Sequence, residues 1–360
     1  MRKGKEDNIT EILKLIAPGT PIRDGLENIL RARTGALVLI TDDSEVLKEV
    51  VDGGFTINED YSSSKLYELA KMDGAIVLSG DLKKILYANA QLIPSHEIST
   101  FETGTRHRTA ERTAKQTGEL VISISQRRSI ITVFKGNERY ILEDTNAVLN
   151  KANQAIQTLE KYKKVFDNKL ELLNEYEFND IVTLQNVIIA IQRAEMVMKI
   201  VEEIQRQIYE LGNDGRLVKM QLDELIGGLE KEESLIIKDY LISDKKNKRT
   251  VEDVIKSLEE LNYEDLSKET IIAKLLGYES FDNYDEVAVY TKGYRILSKV
   301  PRMPSNIVEN LVDSFKSFQH ILVADIESLD EVDGIGEIRA RTIKQSLKRM
   351  QEQFLFDNLF

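Results

Sequence analysis

The stretch KLYELAKMDGAIVLS, residues 65–79, decides the fold of the first part of this chain. Its first half belongs to SSKLYELAKM (63–72), where apolar residues recur at helical spacing, and its second half, DGAIVLS (73–79), is a nearly continuous apolar run. Helical spacing predicts an amphipathic helix, and a short continuous apolar run predicts a buried strand. A helix that leads directly into a buried strand is typical of an α/β domain.

Comparable runs occur on both sides of this stretch, up to about residue 145. The strand-like runs are GALVLI (35–40), DGAIVLS (73–79), KILYANAQL (84–92), ELVISISQ (119–126), SIITVFKG (129–136) and ERYILE (138–143). Helical patterns separate the early runs, with Thr20-Pro21 as a typical helix start, whereas very short turns separate the last three. The sequence therefore predicts, for residues 1–145, an α/β domain with a mixed sheet that is parallel early and antiparallel late.

The remaining sequence predicts helices. In 146–286, apolar residues step by three or four along 156–173 and 184–208, and Gly212 supplies a stop. We interpret this segment as an all-α helical domain, a bundle rather than a coiled coil because the heptads do not persist. The polar run SDKKNKRT (243–250) predicts a solvated loop, and residues 287–360 form a third, C-terminal domain.

Composition excludes several classes of protein. The 360 residues include no cysteine, which excludes a disulfide framework or a catalytic thiol. No apolar run approaches the ~20 residues of a membrane helix, and the N-terminus lacks the apolar core of a signal peptide. We therefore expect a cytoplasmic protein that has no contact with membranes. A P-loop motor is not expected, because there is no GxxxxGK[ST] stretch.

The net charge of −12 argues against general coating of nucleic acid. The charge is unevenly distributed, because residues 146–286 contain 19 Lys and Arg against 29 Asp and Glu, whereas the segments on either side are nearly neutral. The two ends of the chain are therefore the parts that could meet anionic partners.

Positive charge is concentrated in ETGTRHRTAER, residues 102–112. Thr105 is a suitable cap for a helix that runs from about Arg106 to Gln116 and stops at Gly118. The first N–H groups of a helix lack partners and its dipole is positive there. This end of the helix is therefore a candidate binding site for phosphate or another anion.

Two side chains could extend this anion site. Arg106 and Arg108 point to different sides of the first turn, so together they could straddle a polyphosphate, and Gly104 lets the backbone approach closely. The alternative is an ordinary surface helix whose arginines pair with Glu102 and Glu111. The local sequence leaves both interpretations open.

Asp73 and Gly74 precede the buried strand of 73–79. An Asp-Gly pair is usually a turn. An aspartate beside a triphosphate would also supply the oxygen ligand that Mg²⁺ or Mn²⁺ needs, and it could take a proton from a ribose hydroxyl.

The pair Asp73-Gly74-Ala75 and Arg106-His107-Arg108 resembles the signature of the diadenylate cyclase family, within KLYELAKMDGAIVLS and TGTRHRTAERTAKQTG. The whole chain is similar to the DNA integrity scanning members of that family, in which a cyclase domain precedes a helical domain and a DNA-binding module; Gln126 lies where the pattern varies. The resemblance implies that two ATP molecules become cyclic di-AMP and two pyrophosphates, at a site formed by two cyclase domains face to face.

The resemblance also implies roles for individual residues. Asp73 binds the Mg²⁺ or Mn²⁺ ion and acts in catalysis with Arg106, His107 and Arg108. The residues that contact the nucleotide are Gly74, Ala75, Leu92 (through its backbone, at the adenine), Thr105, Arg106, His107, Arg108, Thr109, Ser125 and Arg128. We interpret His107 as a phosphate donor rather than a zinc ligand, because no second His or Cys is near it in the sequence. His96 and His320 receive no role.

The stretch DEVDGIGEIRARTIKQSLKRM (330–350) is similar to the helix-hairpin-helix DNA-binding motif, with a glycine turn followed by a basic helix. The residues that we expect to bind DNA are Gly334, Ile335, Gly336, Arg339, Arg341 and Lys344. Such a turn brings N–H groups to a phosphate without reading bases. The alternative is a plain helix–helix turn. Upstream, KVPRMPSNIVENLV (299–312) resembles a degenerate first hairpin in which prolines replace the glycines.

The resemblance further implies an octamer that binds branched DNA, such as recombination junctions, as a DNA-integrity checkpoint sensor at the nucleoid. Two other functions stay open on the residues alone. One is a DNA-binding scaffold whose N-terminal domain only senses ATP. The other is a different nucleotidyltransferase that moves AMP to another acceptor.

Overall fold

The structure is a computed structural model that describes residues 8–242 and 249–357. Most of the loop predicted at 243–250 lies outside the described residues. The described chain forms two compact units, one made of the described residues up to Gln154 together with Ile204–Met220, the other of Ala155–Glu203 and the described residues from Gln221 onward. The three domain boundaries expected from the sequence stay a prediction.

The first unit is an α/β domain, as predicted. Its elements are α1 (Asn8–Leu15), α2 (Pro21–Arg31), β1 (Ala36–Ile40), α3 (Ser44–Val50), β2 (Val51–Asp52), β3 (Phe55–Asp60), α4 (Ser63–Leu69), β4 (Ala75–Leu78), β5 (Lys84–Leu92), α5 (Thr105–Thr117), β6 (Leu120–Ser125), β7 (Ile130–Lys135) and β8 (Glu138–Leu142). All six strand-like runs of the sequence are strands, whereas β2 and β3 were not predicted. Of the six residues of β3 only one is even half-buried, so this strand has no apolar run.

The sheet is mixed, with the strand order β2-β5-β4-β1-β6-β7-β8, and β3 pairs with β5. β1 is parallel to β4, whereas β6 is antiparallel to β1 and β5 is antiparallel to β4. As a result, the starts of β1 and β4 and the ends of β5 and β6 lie together at one edge of the sheet. We call this the site edge, because the candidate site lies there.

Helices cover both faces of the sheet, which is why the central strands are continuous apolar runs. Alternate residues of β1 enter different cores, since successive side chains of a strand point to opposite faces. Val38 and Ile40 pack in one core with residues of α1, α2 and α4. Leu37 and Leu39 pack in the other with residues of α3 and α5.

The remaining described chain is helical, as predicted. Its helices are α6 (Thr145–Asn179), α7 (Leu184–Leu211), α8 (Arg216–Leu225), α9 (Leu229–Tyr240), α10 (Val251–Glu259), α11 (Tyr263–Leu266), α12 (Glu269–Leu275), α13 (Tyr294–Leu297), α14 (Ser305–Phe315), α15 (Phe318–Val323), α16 (Ile326–Asp330) and α17 (Glu337–Asp357), with short 3-10 helices at Gly212–Gly215 and Tyr284–Glu286. Gly212 ends α7 with a φ of 52°. Over the part of the chain that the structure describes, none of these helices combines the length and apolarity that crossing a membrane requires.

The helical unit contains a buried charge network that the sequence did not reveal. The side chain of Arg295 is fully buried, donates to Oδ1 of Asn174 at 2.6 Å and pairs with Glu177. Asp239 accepts hydrogen bonds from three backbone N–H groups, those of Gly293, Tyr294 and Arg295. Burial raises the pKa of Asp239. The network thereby joins α6 and α9 to the start of α13.

Candidate nucleotide-binding site

The chain enters β4 at the site edge through a glycine that no other residue could replace without strain. Gly74 has a φ of +89°, and a β-carbon there would lie 2.7 Å from the carbonyl oxygen of Ala90 and 2.9 Å from the carbonyl carbon of Asn89. Asp73 is exposed immediately before this glycine. The Asp-Gly pair therefore forms a turn, and it also places an exposed carboxylate at the site edge.

Helix α5 begins at the same edge, and its start differs from the prediction in one detail. The cap is Gly104, which offers no side-chain hydrogen bond, and Thr105 is the first helical residue rather than the cap. The first bond within the helix runs from the N–H of Arg108 to the carbonyl of Gly104, at 2.8 Å. No capping side chain therefore occupies the first N–H groups, which suits an anion site. Gly118 ends the helix with a φ of 74°, as predicted.

A pocket of about 550 Å³ opens at this helix start. Its lining residues are Arg33, Gly104, Thr105, Arg106, His107, Ile124, Ser125, Gln126 and Arg127. Within the described chain, this lining contains three arginines and no carboxylate. Such a cavity favours a ligand that carries several negative charges.

The two carboxylates that could have neutralised these arginines are used elsewhere. Glu102 pairs with Arg139 at 2.6 Å, and Glu111 pairs with Lys115 at 2.7 Å. The arginines of the helix start therefore do not pair with these two glutamates, and the role of the helix start as an anion site stays a prediction. The side chain of Arg106 instead lies against Gly35, where a β-carbon would be 2.5 Å from Nη1.

Another member of the basic cluster, Arg112, has a structural contact. The loop between β5 and α5 is fastened along the helix by side chains of α5. Arg112 donates to the carbonyl of Ile98 at 2.9 Å, Lys115 donates to that of Ser99 at 3.0 Å, and Glu111 accepts from the N–H of Phe101 at 3.2 Å. Burial by itself would raise the pKa of Glu111, but hydrogen bonds from Lys115 and Thr100 outweigh it and lower that pKa.

His107 points into the core rather than into open solvent. Its Nδ1 lies 3.0 Å from Oγ of Ser123, its Nε2 lies 3.3 Å from Oγ1 of Thr132, and its ring meets that of Phe134 edge to face. Burial lowers the pKa of the imidazole, because the charged form loses its hydration. Both ring nitrogens thus face hydroxyl groups, which fixes the ring beneath the helix start. A role of this imidazole as a phosphate donor stays a prediction.

The predicted nucleotide-binding residues divide into four groups. Thr105, Arg106, His107 and Ser125 line the pocket together, whereas Arg128 lines a neighbouring pocket of about 500 Å³. Arg108 is exposed and Thr109 half-buried on α5. Asp73, Gly74, Ala75 and Leu92 lie on the β4 and β5 side of the site edge, where the side chain of Leu92 is buried.

Sequence reasoning assigned no role in the site to four residues that line the pocket, Arg33, Ile124, Gln126 and Arg127, nor to Gly35, which lies against Arg106. Arg33 and Gly35 both precede β1. Four strands separate β1 from β6 in the sequence, but the two are neighbours in the sheet, so these residues lie beside the end of β6. The one available signal was the doubled arginine of SQRRS (125–129), in which Arg127 rather than the predicted Arg128 lines the pocket with Arg106.

The C-terminal glycine turn has the geometry expected of it. Gly334 has a φ of 82°, Ile335 is buried, and α17 begins directly after Gly336, whose carbonyl accepts from the N–H of Ala340 at 3.0 Å. A β-carbon at Gly334 would lie 2.4 Å from Cδ1 of Ile307.

The basic residues that follow this turn differ in how free they are. Arg339 bonds back to the carbonyl of Gly334, and Arg341 pairs with Glu337 on the exposed helix surface. Lys344 donates to the carbonyl of Leu322 at 2.9 Å and so joins two helices. In the upstream segment Arg302 has a φ of 58°, in the same left-handed region as Gly334, and the resemblance of this segment to a first hairpin stays a prediction.

The fold defines the class of the first unit, an α/β domain with a mixed sheet, and its pocket at the start of α5 is lined by arginines. Residues 23–139 match the family model of the DisA bacterial checkpoint controller nucleotide-binding domain, and residues 142–284 match that of the DisA bacterial checkpoint controller linker region. The chain therefore belongs to the DisA family of bacterial checkpoint controllers.

Relatives of the same family match over the full length. The DNA integrity scanning protein DisA of Clostridioides difficile (strain 630) is 55% identical over 350 residues, which are 97% of each chain. The protein of the same name from Clostridium kluyveri is 53% identical over 360 residues, 100% of each chain. A solved structure of a DacA double mutant from Staphylococcus aureus is 21% identical over 38% of this chain and 91% of that one, with a TM-score of 0.29, which is too low to bear on the fold.

Proposed function

We propose that the protein is a diadenylate cyclase, a nucleotidyltransferase that condenses two ATP molecules into cyclic di-AMP and two pyrophosphates. One observation supports this most. A pocket lined by three arginines and no carboxylate opens at the start of α5, which has no capping side chain, and it lies on the same sheet edge as the exposed Asp73. The pocket suits a triphosphate, and the carboxylate suits the ribose and the metal that accompany it.

The reaction consists of two equivalent transfers. The 3′-oxygen of one ATP attacks the α-phosphorus of the other, the new P–O bond forms, and the bond to the β-phosphate breaks with its electron pair on the leaving pyrophosphate. The hydroxyl proton passes to the carboxylate of Asp73 or to water. Such a displacement needs alignment and cationic relief of charge rather than a covalent intermediate. Arg106 and the first N–H groups of α5 supply that relief.

A divalent ion, Mg²⁺ or Mn²⁺, fits the residues present. No group of three or more His, Cys, Asp or Glu is assembled to hold a metal within the residues that the structure describes. Mg²⁺ is commonly bound by one or two carboxylates together with substrate phosphates. Asp73 is such a lone carboxylate, so it would hold the ion jointly with ATP, and the ion would neutralise phosphate charge.

The proposed reaction requires two copies of the chain. Each copy contributes one Asp73 and one arginine pocket, so a cyclic product forms where two cyclase domains meet face to face, each with one ATP. A strictly monomeric variant should be inactive. Four such pairs would make the octamer that the family resemblance implies.

We further propose that the turn at Gly334–Gly336 makes this chain a helix-hairpin-helix protein that binds branched DNA at the nucleoid and couples DNA integrity to cyclase activity. The left-handed Gly334 and the helix start behind Gly336 support a backbone contact. One copy should bind weakly and with strong salt dependence. Several copies in an oligomer would bind more tightly through avidity.

Analysis of the products of the wild type separates this proposal from the two alternatives, and Asp73→Asn tests the role of the carboxylate. For the wild type with ATP and Mg²⁺ or Mn²⁺, chromatography should reveal the cyclic dinucleotide. Asp73→Asn should lose turnover and retain its fold and DNA binding. A wild type without turnover would favour the ATP-sensing scaffold, and pyrophosphate release without the cyclic product would favour another nucleotidyltransferase.

A further inference from the structure

Arg33 lies at the pocket, and its positively charged side chain has no partner among the described residues. It lies between α2 and β1 and lines the pocket with Arg106 and Arg127. In the described residues, 8–242 and 249–357, its guanidinium has neither a hydrogen bond nor an ion pair. Two residues away, Arg31 is in contrast paired with Glu27 at 2.9 Å.

The backbone of Arg33 is held in a conformation that an arginine does not favour. Its φ is 54°, in the left-handed region. The conformation is fixed by its neighbours, because the N–H of Arg33 donates to the carbonyl of Leu30 at 3.0 Å and the N–H of Thr34 donates to that of Ile29 at 3.2 Å. Strain of this kind, held by its surroundings, is common where a side chain serves a ligand.

The position of Arg33 indicates which part of the ligand it meets. Arg106 is half-buried against Gly35, whereas Arg33 and Arg127 are exposed and therefore lie at the mouth of the pocket. A leaving group must depart through the mouth. Three guanidinium groups are also more than one phosphate requires, but they suit the spaced charges of a polyphosphate.

We propose that Arg33 binds the β- and γ-phosphates of ATP, the part that leaves as pyrophosphate, and that it makes the pocket select a triphosphate. This inference rests on the proposed function, because the pocket must be the ATP site. Arg33 does not touch the α-phosphorus where the bond changes occur. It lowers the free energy of the bound triphosphate and of the charge that develops on pyrophosphate.

Titration of the full chain with two nucleotides tests the proposal without turnover. The probes are AMP and an ATP analogue with a methylene group between the α- and β-phosphates, in Mg²⁺. The variant is Arg33→Asn, because asparagine tolerates the left-handed region and should not lower the melting temperature. Loss of a charge-assisted contact should weaken binding of the analogue at least about tenfold and leave AMP binding unchanged. Arg31→Gln, which removes the same charge two residues away, should bind both probes as the wild type does.

Three results would overturn the proposal: an unchanged affinity of Arg33→Asn for the analogue, an equal loss for analogue and AMP, or an equal loss in Arg31→Gln. Partial recovery of the affinity for the analogue in Arg33→Lys would support it, since lysine restores the charge but not the bidentate geometry of arginine. If the wild type binds the analogue but forms no cyclic dinucleotide, the proposed reaction is wrong, and the titration still tests the role of Arg33. If the wild type cyclises ATP and Arg33→Asn has the same KM for ATP, the role of Arg33 is wrong and the proposed reaction stands.

Discussion

Gly35 and Arg106 are 71 residues apart in sequence and in contact in the fold: a β-carbon at Gly35 would lie 2.5 Å from Nη1 of Arg106. The same β-carbon would lie 3.1 Å from the carbonyl oxygen of Ile124, which belongs to the backbone of β6 and cannot move aside. Any side chain at Gly35 must therefore displace the guanidinium. The absence of a side chain before β1 is what lets Arg106 occupy the floor of the pocket.

We expect Gly35→Ala to raise the KM for ATP at least about tenfold, or ~1.4 kcal/mol of binding, because Arg106 is pushed from its place. Steady-state cyclase assays measure this. The matched control is Gly80→Ala at the other end of the parallel strands, where a β-carbon would lie 2.5 Å from Oδ2 of Asp42. If Gly80→Ala has the same effect on KM, general strain rather than the displacement of Arg106 is responsible.

The buried imidazole of His107 should make stability depend on pH. Burial lowers its pKa in the folded protein, so just below the ordinary value of 6.5 the unfolded chain binds more protons than the folded one. The stability that this group contributes is therefore fully present above pH ~6.5 and is lost as the pH falls from there through the lowered pKa of the folded protein. Between about pH 7.5 and 5.5, urea denaturation should show a larger loss for the wild type than for His107→Asn. Equal losses would contradict this account.

Glu111 should stabilise the loop before α5 as well as the helix. It is buried and accepts hydrogen bonds from Thr100, the N–H of Phe101 and Lys115. We expect Glu111→Gln to cost about 1–3 kcal/mol in the free energy of unfolding, because buried donors lose a charged acceptor. Glu45→Gln, which removes an exposed glutamate paired with Lys48, should cost at most about 1 kcal/mol. Similar costs for the two variants in denaturant titrations would refute the expectation.

The sheet was predictable for a physical reason that does not extend to its edge. Strands covered by helices on both faces are apolar at most positions, so the composition of β1, β4 and β6 alone identifies them as buried strands. β3 is exposed on nearly all its residues, so nothing in its composition distinguishes it from a loop. The preference of helix caps for hydroxyl side chains pointed to Thr105, but the chain enters α5 one residue earlier, at Gly104.

Arg295 should be among the most sensitive positions of the helical unit. It is fully buried and pairs with Glu177, so its removal leaves a buried charge without compensation. We expect Arg295→Met to cost about 3–5 kcal/mol, measured as a lower denaturation midpoint of the full chain. Arg31→Met, at an exposed pair with Glu27, should cost at most about 1 kcal/mol. An Arg295→Met midpoint within error of that control would show that the network adds no stability.

DNA binding should depend on the glycine turn and not on the cyclase. We expect Gly334→Asp and Arg339→Glu each to abolish binding to a four-way junction in gel-shift titrations, because each introduces a negative charge where a DNA phosphate would bind. Cyclase activity should persist in both variants. Arg339→Glu guards against misfolding, since Gly334→Asp also introduces a β-carbon 2.4 Å from Ile307. Lys348→Glu, which reverses an exposed charge further along α17, should bind as the wild type does. Unchanged junction affinity in Arg339→Glu would refute the assignment.

The candidate site was predictable only in part, because its residues come together through strand order. Asp73 and Arg106 each stand in a local pattern with its own chemistry, a turn before a strand and the start of a helix. Arg33 and Gly35 stand in no such pattern, and their role arises from the antiparallel pairing of β1 with β6, which sets Ala36 opposite Ile124. A single sequence does not specify that pairing.

The central claim is that this chain joins two ATP molecules, and the stoichiometry of its products tests that claim most directly. Purified oligomeric protein is incubated with ATP and Mg²⁺ or Mn²⁺, and both the nucleotide products and pyrophosphate are quantified by chromatography. The account predicts cyclic di-AMP with two pyrophosphates for each product formed, and none with Asp73→Asn. Consumption of ATP without cyclic di-AMP, or no consumption by a protein that binds ATP, would contradict it.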